Sequence, residues 1–361
     1  MKSKIEFCVP PFFRFHSLEY DFLREKTGKT FQYASRGRYS IYHIIHSLEI
    51  KKGVLLPAYF CETILEVLTS LKIPFQFYDL DLEDLNPDIF SIERELQLTG
   101  YDGVLVPSLY GNSADLPQIE LLCQKYGAKM IDDAAQSFGA VGSDGRLVGT
   151  YGAAGLLAFS PGKSTMAHMG SLYWTSNEKY NYPHTRHSVY HFLCYINFLL
   201  NRQLVYFTRY VPFFWIFGLY HKLLKEQMLV NDSITGFEEK ILGGVLKALF
   251  DGKFQVYEFY WDYFDRTLKN TKNYRVIRNI HGRKSVPRKI ILLFYDKAEC
   301  DKMKNYLYKK KIAFFPGYKL LPGDYSGIPN TMKIVDHIIE LPIEDNKKRM
   351  QYMVDMINNY N

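Results

Sequence analysis

Two side chains of this sequence have the types and positions that amine-transfer chemistry needs. Lys163 follows the apolar run that ends at Phe159, and Asp133 ends another apolar run about thirty residues earlier. A lysine amine can form a Schiff base with an aldehyde, and a carboxylate can keep a pyridine nitrogen protonated. The pair is what a pyridoxal phosphate enzyme requires. The alternative for Lys163 alone is an ordinary surface lysine after the turn Pro161-Gly162.

The elements that must hold these two residues alternate between strand and helix from about residue 35 to 177. Apolar runs predict buried strands, and apolar residues at helical spacing predict the helices between them. This alternation predicts parallel strands with right-handed crossovers and a ligand at the C-terminal ends of the strands. The predicted strands are 54–57, 75–78, 103–107, 129–132, 155–159 and 171–175, and the predicted helices are 62–71, 89–98 and 116–126.

The last third of the chain has the pattern of a smaller α+β unit. We predict a large domain over 1–245 and a small C-terminal α+β domain over 246–361. The elements predicted there are a long helix over 237–269, a strand over 289–294, a helix over 299–309, a short strand near 313–314, a strand over 338–341 and a helix after Glu344.

Four motifs follow one another through the large domain, and a fifth lies near the end of the chain. They are Ser35 to Ser40 with Val54 to Tyr59, Pro107 to Gly111 with Ala114-Asp115, Asp132 to Ala140 with Gly145-Arg146 and Gly149, Phe159 to Gly170, and Ile339 to Ile343. Their order and spacing resemble the DegT/DnrJ/EryC1/StrS family of sugar aminotransferases. The resemblance covers most of residues 35–361. It implies the aspartate aminotransferase-like (type I) pyridoxal phosphate fold, an α/β fold with a mostly parallel sheet.

Three residues carry the chemistry that the resemblance implies. Lys163 matches the Schiff-base lysine, Asp133 matches the partner of the pyridine nitrogen, and Gln136 matches the amide near the cofactor's phenolic oxygen. Without a nearby carboxylate the pyridine nitrogen would lose its proton near neutral pH. The alternative for Gln136 is an amide on a helix surface.

The cofactor phosphate needs an anion site, and the helix that begins at Gly37 and Arg38 offers one. Its free amides and dipole favour an anion, and glycine lets the backbone approach closely. Arg38 stands where the family has a small hydroxyl residue, and it either grips a phosphate or carboxylate or is solvated. The family serine five positions before the lysine falls on Ala158, so Ser160 is a displaced candidate for contacting the phosphate.

Other positions match the family less closely. Tyr59 lies where the family has an aromatic over the cofactor ring, with core packing as the alternative. The glycine-rich turn after the family lysine is replaced here by 167–170, in which His168 is either an acid–base group or an ordinary loop histidine. The family also supplies an asparagine from the partner subunit, and Asn231 is too loosely spaced to be assigned that role.

The activity that the resemblance implies is a two-step transamination for surface polysaccharide or glycoconjugate synthesis. An amino donor, usually glutamate, passes its amino group to the cofactor, which passes it to a keto group on a nucleotide-linked sugar. Lys163 moves the proton in this exchange. Family members that dehydrate have histidine at this position, so Lys163 favours transamination. Family sites are shared between subunits, which implies a homodimer.

Two other functions remain open. Ala158 and the altered turn over 167–170 are compatible with a degenerate member that acts as a non-catalytic binding or regulatory protein at a membrane surface. A pyridoxal phosphate enzyme with a free amino acid as substrate is the third possibility.

Composition narrows the partners and the compartment. The net charge of +7 is moderate and spread out, and no pattern of a nucleic-acid module is present, so we expect no nucleic-acid partner. The five cysteines are scattered, odd in number and without metal-ligand spacing. They predict reduced thiols, no metal site and a cytoplasmic protein. Residues 1–11 do not have the pattern of a secretory signal.

An aromatic helical insertion is predicted over about residues 188–226. Aromatic residues crowd 190–224, but the uncharged runs there are short of the roughly 20 residues that cross a bilayer. Three interpretations are open: a helical hairpin in the dimer interface, a lid over the sugar-nucleotide site, or an amphipathic helix on a membrane. The third would give a peripheral contact with the inner membrane face.

Overall fold

The computed structural model describes residues 20–159, 163, 170–177, 240, 242–244, 246–247, 263–264, 266–287, 289–343 and 346–360. Its helices are α1 (Tyr20–Thr27), α2 (Gly37–Ser47), α3 (Thr63–Leu71), α4 (Ile89–Thr99), α5 (Leu116–Lys125), α6 (Lys297–Lys309), α7 (Pro329–Ile334) and α8 (Lys347–Asn358). Its strands are β1 (Gln32–Ala34), β2 (Val54–Pro57), β3 (Phe75–Tyr78), β4 (Gly103–Pro107), β5 (Lys129–Asp133), β6 (Val141–Gly142), β7 (Ala154–Ala158), β8 (Ser171–Thr175), β9 (Tyr274–Val276), β10 (Gly282–Lys284), β11 (Lys289–Phe294) and β12 (Ile338–Pro342).

Seven strands form the main sheet, in the order β1-β8-β7-β5-β4-β2-β3. The five strands from β7 to β3 are parallel, whereas β8 is antiparallel to β7 and β1 is antiparallel to β8. The predicted α/β fold with a mostly parallel sheet is therefore confirmed. All residues of β2, β4 and β7 are buried, which is typical of parallel strands covered on both faces.

Local sequence signals explain where the helices of this domain start and stop. The Asp88 carboxylate accepts a hydrogen bond from the Phe90 N–H at 3.0 Å and caps the start of α4. The same helix ends at Gly100, which has a φ of 60°. Glycine takes this left-handed conformation without steric cost, so it stops the helix cleanly.

A second sheet, with the antiparallel order β12-β11-β9, forms the small C-terminal unit. Alternate residues of β11 face opposite sides, as a strand requires. Ile290, Leu292 and Phe294 pack in a core with α6 and α8, whereas Ile291 and Leu293 belong to the core of the large domain. The small sheet thus lies between its own helices and the large domain.

Most predicted elements agree with the structure to within one or two residues, and the strands over 54–57, 75–78, 103–107, 171–175 and 289–294 agree at both ends. The strand predicted near 313–314 is wrong, because the structure has only a single bridge there, between Phe315 and Glu340. Pro316 follows immediately and has no N–H with which to extend the ladder.

Two predictions concern parts of the chain that lie largely or wholly outside the described residues. The insertion predicted over 188–226 lies wholly outside the described residues. Of the helix predicted over 237–269 only short pieces are described, and those at 240, 242–244, 246–247, 263–264 and 266–267 are helical. The domain boundary at residue 245 stays a prediction.

Among the described residues, no helix is both long enough and apolar enough to cross a lipid bilayer.

Candidate active site

The residues predicted to carry chemistry lie at the C-terminal ends of neighbouring parallel strands. Asp133 is the last residue of β5, and it stands opposite Pro107 at the end of β4. Tyr110 follows β4, Tyr59 follows β2, and Gln136 follows β5. This edge of an open parallel sheet is where ligands of α/β proteins bind.

Asp133 is buried, with 3 % of its surface exposed. Its Oδ1 accepts a hydrogen bond from the Ala135 N–H at 2.8 Å, and no described residue donates to its Oδ2. Burial raises the pKa of the Asp133 carboxyl, and the positive charge of Lys163 acts in the opposite direction on that pKa. The predicted convergence of the Lys163 amine and the Asp133 carboxylate stays a prediction.

The neighbouring carboxylate, Asp132, points to the other face of β5, because successive side chains of a strand alternate. Its Oδ2 accepts hydrogen bonds from the backbone N–H groups of Gly149 at 2.6 Å and Tyr151 at 3.1 Å. Burial raises the pKa of Asp132 to about 8. Asp132 thus holds the turn before β7 in place, away from the edge where Asp133 lies.

Gln136 is hydrogen-bonded at both ends of its amide. The Tyr110 N–H donates to Gln136 Oε1 at 3.3 Å, and Gln136 Nε2 donates to the Tyr318 hydroxyl at 3.0 Å. The amide therefore faces the interior of the site and contacts a residue of the C-terminal unit. Its predicted contact with a phenolic oxygen stays a prediction.

Tyr59 is completely buried and forms part of a cluster of tyrosines. Its hydroxyl lies 2.7 Å from that of Tyr110 and accepts the Tyr318 N–H at 3.0 Å. The rings of Tyr59 and Tyr318 meet edge to face, with centroids 5.5 Å apart. Burial raises the pKa of both hydroxyls well above the ordinary value for tyrosine, so both stay protonated. The predicted position of Tyr59 over a cofactor ring stays a prediction.

An ion pair between buried Glu340 and half-buried Lys289 anchors this cluster to the small sheet. Glu340 of β12 is 2 % exposed; its Oε1 accepts the Tyr110 hydroxyl at 2.8 Å, and its Oε2 pairs with the Lys289 ammonium. Tyr110 itself has a φ of 58°, a left-handed conformation that is uncommon for a bulky residue. Strain of this kind persists only where surrounding contacts hold it, and it is often found at functional sites.

The predicted phosphate site begins α2. The backbone N–H groups of Gly37 and Arg38 have no acceptor among the described residues. The Arg38 guanidinium is mostly buried and pairs with the Glu66 carboxylate of α3, so it is not simply solvated. Its predicted contact with a phosphate or a substrate carboxylate stays a prediction. Ser160, His168 and Asn231 lie outside the described residues.

The residues at this edge fit pyridoxal phosphate in two respects. Asp133 Oδ2, to which no described residue donates, can accept a pyridinium N–H. The N–H groups of Gly37 and Arg38 at the start of α2, which have no acceptor among the described residues, suit a phosphate.

Tyr318, Glu340 and Lys289 belong to the same cluster, yet the sequence motifs suggested no role for them. One signal was available: Glu340 interrupts an apolar run from Ile338 to Ile343 that is otherwise typical of a buried strand. A carboxylate in such a run needs a buried partner. The other two residues carry no local signal.

No described group of three or more histidine, cysteine, aspartate and glutamate side chains is arranged to hold a metal ion. The three described cysteines, Cys61, Cys123 and Cys300, are free thiols, in agreement with the prediction.

The chain was then compared with known proteins. Residues 40–183 match the DegT/DnrJ/EryC1/StrS aminotransferase family, which confirms the resemblance found in the sequence. EpsN of Bacillus subtilis, a proposed pyridoxal phosphate-dependent aminotransferase, is 29 % identical over 167 residues, which are 43 % of this chain and 42 % of EpsN. The UDP-N-acetyl-3-dehydro-α-D-glucosamine 3-aminotransferase of Acidithiobacillus ferrooxidans is 32 % identical over 123 residues, which are 33 % of this chain and 32 % of that enzyme.

The chain spans less than half the length of these curated relatives. The structural likeness is more extensive. The aminotransferase TlmJ of Streptoalloteichus hindustanus superposes with a TM-score of 0.72 at 17 % identity, covering 94 % of this chain and 88 % of TlmJ. At this identity the likeness concerns the fold, which is the aminotransferase fold that the sequence predicted.

Proposed function

We propose that this chain, which matches the DegT/DnrJ/EryC1/StrS aminotransferase family over residues 40–183, transfers an amino group from an amino donor to the keto group of a nucleotide-linked sugar, with pyridoxal phosphate as its cofactor. One observation carries the proposal: Asp133 is buried at the C-terminal end of β5, and its Oδ2 accepts no hydrogen bond from a described residue. A carboxylate in this position and the Lys163 amine of the next motif are the two groups that this cofactor needs.

Pyridoxal phosphate, when bound, accepts an amino group at its aldehyde carbon and releases it to a keto carbon. In the proposal the Asp133 carboxylate accepts the hydrogen of the pyridine nitrogen and keeps that nitrogen charged. The free N–H groups of Gly37 and Arg38 bind the phosphate, helped by the dipole of α2. Ser160 remains a candidate for the same phosphate.

Lys163 has two tasks in this proposal. Its amine would hold the cofactor at its aldehyde carbon, and it would also move the proton at the donor carbon. Asp133 also serves Lys163, because a carboxylate close to the lysine keeps the amine within the same polar site. Gln136, with both ends of its amide hydrogen-bonded, is a fixed group on the β4 side of Asp133.

The substrate class rests on the family and on its named members. A relative from Acidithiobacillus ferrooxidans is named as an aminotransferase of a UDP-linked dehydro sugar, and it matches a third of this chain. We propose glutamate as the amino donor and surface polysaccharide or glycoconjugate synthesis as the process, both by resemblance to the family.

The test is a half-reaction followed by absorbance. We expect the purified protein with pyridoxal phosphate to be yellow, glutamate to bleach the visible band, and a keto-sugar nucleotide to restore it. Lys163→Ala should lose the visible band and the response to glutamate, because no other amine takes its place. Lys125→Ala is the matched control, since Lys125 is an exposed lysine of α5 paired with Glu93.

Each alternative has its own outcome in this experiment. A protein that binds pyridoxal phosphate but responds to no amino donor would fit the non-catalytic binding protein. A response to glutamate that no keto-sugar nucleotide reverses would point to a different keto substrate. A protein that does not bind pyridoxal phosphate would overturn the proposal.

The proposal includes a cytoplasmic homodimer, since family sites are shared between subunits and the described cysteines are free thiols. Sedimentation of the purified protein should give twice the mass of the chain. If residues 190–224 make a peripheral membrane contact, the purified protein should also co-float with anionic vesicles at low salt. A protein that stays at the bottom of the gradient would exclude that contact.

A further inference from the structure

The tyrosine cluster at the strand ends has hydrogen bonds whose directions can be worked out. A carboxylate without a proton only accepts, so the Tyr110 hydroxyl donates to Glu340 and the Tyr59 hydroxyl must then donate to Tyr110. The Tyr59 oxygen in turn accepts the backbone N–H of Tyr318 at 3.0 Å. The backbone of Tyr318 is therefore held by a series of hydrogen bonds that runs from Glu340, the partner of Lys289, through the hydroxyls of Tyr110 and Tyr59.

The side chain of Tyr318 is held from a second direction. The Tyr110 N–H can only donate, so the Gln136 atom beside it is the amide oxygen, and the amide nitrogen must face Tyr318. The Tyr318 oxygen therefore accepts from Gln136, and its own O–H hydrogen has no acceptor among the described residues. Burial keeps the pKa of Tyr318 high, and the charge of Asp133 raises it further, so the hydrogen stays in place.

The cofactor's own geometry indicates what this hydrogen meets. In pyridoxal phosphate the ring nitrogen lies opposite the carbon that bears the aldehyde. The phosphate arm and the ring oxygen sit on the two flanks of that axis. With the nitrogen at Asp133 and the aldehyde at Lys163, one flank faces the phosphate site and the other faces away from it.

Sheet order identifies the two flanks. The start of α2 lies against β7 and β8, since Gly37 adjoins Ala158 and the Ser40 hydroxyl is 2.8 Å from that of Ser171. Asp133 ends β5, which lies between β7 and β4. Tyr110 and Tyr59 follow β4 and β2, so they and Tyr318 occupy the flank opposite the phosphate site.

We propose that the Tyr318 hydroxyl donates a hydrogen bond to the ring oxygen of bound pyridoxal phosphate, an inference that rests on the function proposed above. Tyr318 comes from the small C-terminal unit, so this bond joins that unit to a cofactor held otherwise by the large domain. Buried Glu340, paired with Lys289, keeps the donor in place through Tyr110 and Tyr59.

The test compares Tyr318→Phe with the wild type in two titrations of bound cofactor. A donor to a charged oxygen is worth about a ten- to hundredfold change in affinity, so the dissociation constant of pyridoxal phosphate should rise by about that factor. The pKa of the bound chromophore should rise by about one unit, because the hydroxyl stabilises the ring oxygen most when it carries a full negative charge. Absorbance against pH measures this second effect.

Tyr325→Phe is the matched control. Tyr325 lies in the same segment and its ring is stacked against Phe77, but its hydroxyl donates to the Leu321 carbonyl at 2.8 Å instead of facing the site. This variant should leave both titrations unchanged. Equal effects of the two substitutions would mean that the loss is structural and would overturn the inference.

A cofactor analogue without the ring oxygen makes the test specific. The wild type and Tyr318→Phe should bind this analogue equally, because the interaction that distinguishes them is absent from both complexes. A difference in affinity that persists with the analogue would overturn the inference, as would a Tyr318→Phe variant with normal cofactor titrations and a raised KM for the sugar. A wild-type protein that fails to bind pyridoxal phosphate would instead overturn the proposed function, and this inference with it.

Discussion

Asp132 and Asp133 are neighbours on β5, both buried, and they face opposite sides of one sheet. Burial raises the pKa of each carboxyl, so burial does not distinguish them. Their surroundings do. Each has one oxygen that accepts no hydrogen bond from a described residue. Asp132 Oδ1 is fully buried, next to an Oδ2 that accepts two backbone N–H groups of the turn before β7. Asp133 Oδ2 lies at the C-terminal edge of the sheet, where the Lys163 charge acts on the carboxyl. The comparison indicates that a site is recognised by where an unused carboxylate oxygen lies.

Replacing each aspartate in turn by asparagine should give the largest difference between the two faces of β5, measured as the rate of the glutamate half-reaction. We expect Asp133→Asn to slow the glutamate half-reaction by about 10²- to 10³-fold, the usual effect of removing a fixed electrostatic partner from an active site. Asp132→Asn is the matched control and should retain close to the wild-type rate. Stopped-flow absorbance measures both rates. A comparable loss in Asp132→Asn would show that the functional face was wrongly chosen.

In measurements of the free energy of unfolding, substitution of Asp132 should have the larger effect of the two aspartates. Asp132→Ala leaves the Gly149 and Tyr151 N–H groups buried without an acceptor, at about 1–3 kcal/mol for each unpaired group. We expect a loss of about 2–4 kcal/mol in the free energy of unfolding, followed by denaturant titration. Asp132→Asn keeps an acceptor oxygen and should lose less. If the alanine and asparagine variants are equally stable, the two hydrogen bonds contribute nothing.

The smallest effect is a dependence of stability on pH. The pKa of Asp132 is about 8 in the folded protein, against about 3.9 in an unfolded chain. Between these values the folded protein holds a proton that the unfolded chain has released. The free energy of unfolding should therefore fall as pH rises through this window, by at most about 1.4 kcal/mol per pH unit.

The contribution of the Asp132 carboxyl to stability is fully present below its pKa in the unfolded chain. It is lost above its pKa in the folded protein. Asp132→Asn cannot release a proton, so its stability should fall less steeply over the same range. Other buried carboxyls, Asp133 among them, are present in both the wild type and Asp132→Asn and should change the stability of both with pH in the same way. Parallel slopes for the two proteins would contradict the assigned pKa.

Much of the large domain was predictable because its signals are local. A run of four to six apolar residues bounded by polar ones specifies a buried strand wherever it occurs, and β2 and β11 agree with prediction at both ends. The prediction of a strand near 313–314 was wrong because a strand there would have to pair with β12 over several residues. In that segment only Phe315 pairs with β12, through the backbone of Glu340, and Pro316 prevents the ladder from continuing.

The residues of the candidate site also fall into two groups, those that local sequence patterns predicted and those that they missed. Lys163 and Asp133 were found because each ends an apolar run and their spacing matches a family motif. Tyr318 and Glu340 were missed because Tyr318 meets Gln136 across 182 positions and Glu340 meets Tyr110 across 230 positions of the chain. No local pattern reports contacts of that separation.

Residue order by itself determined the strands, the helices between them and the two groups on which the proposed chemistry depends, because hydrophobic periodicity and chain direction are local properties. Tertiary structure alone decided what each aspartate contacts and which distant residues join the tyrosine cluster. Those choices depend on how the main sheet is ordered and on where the small sheet packs against it. Both are set by burial of side chains that lie far apart in the sequence.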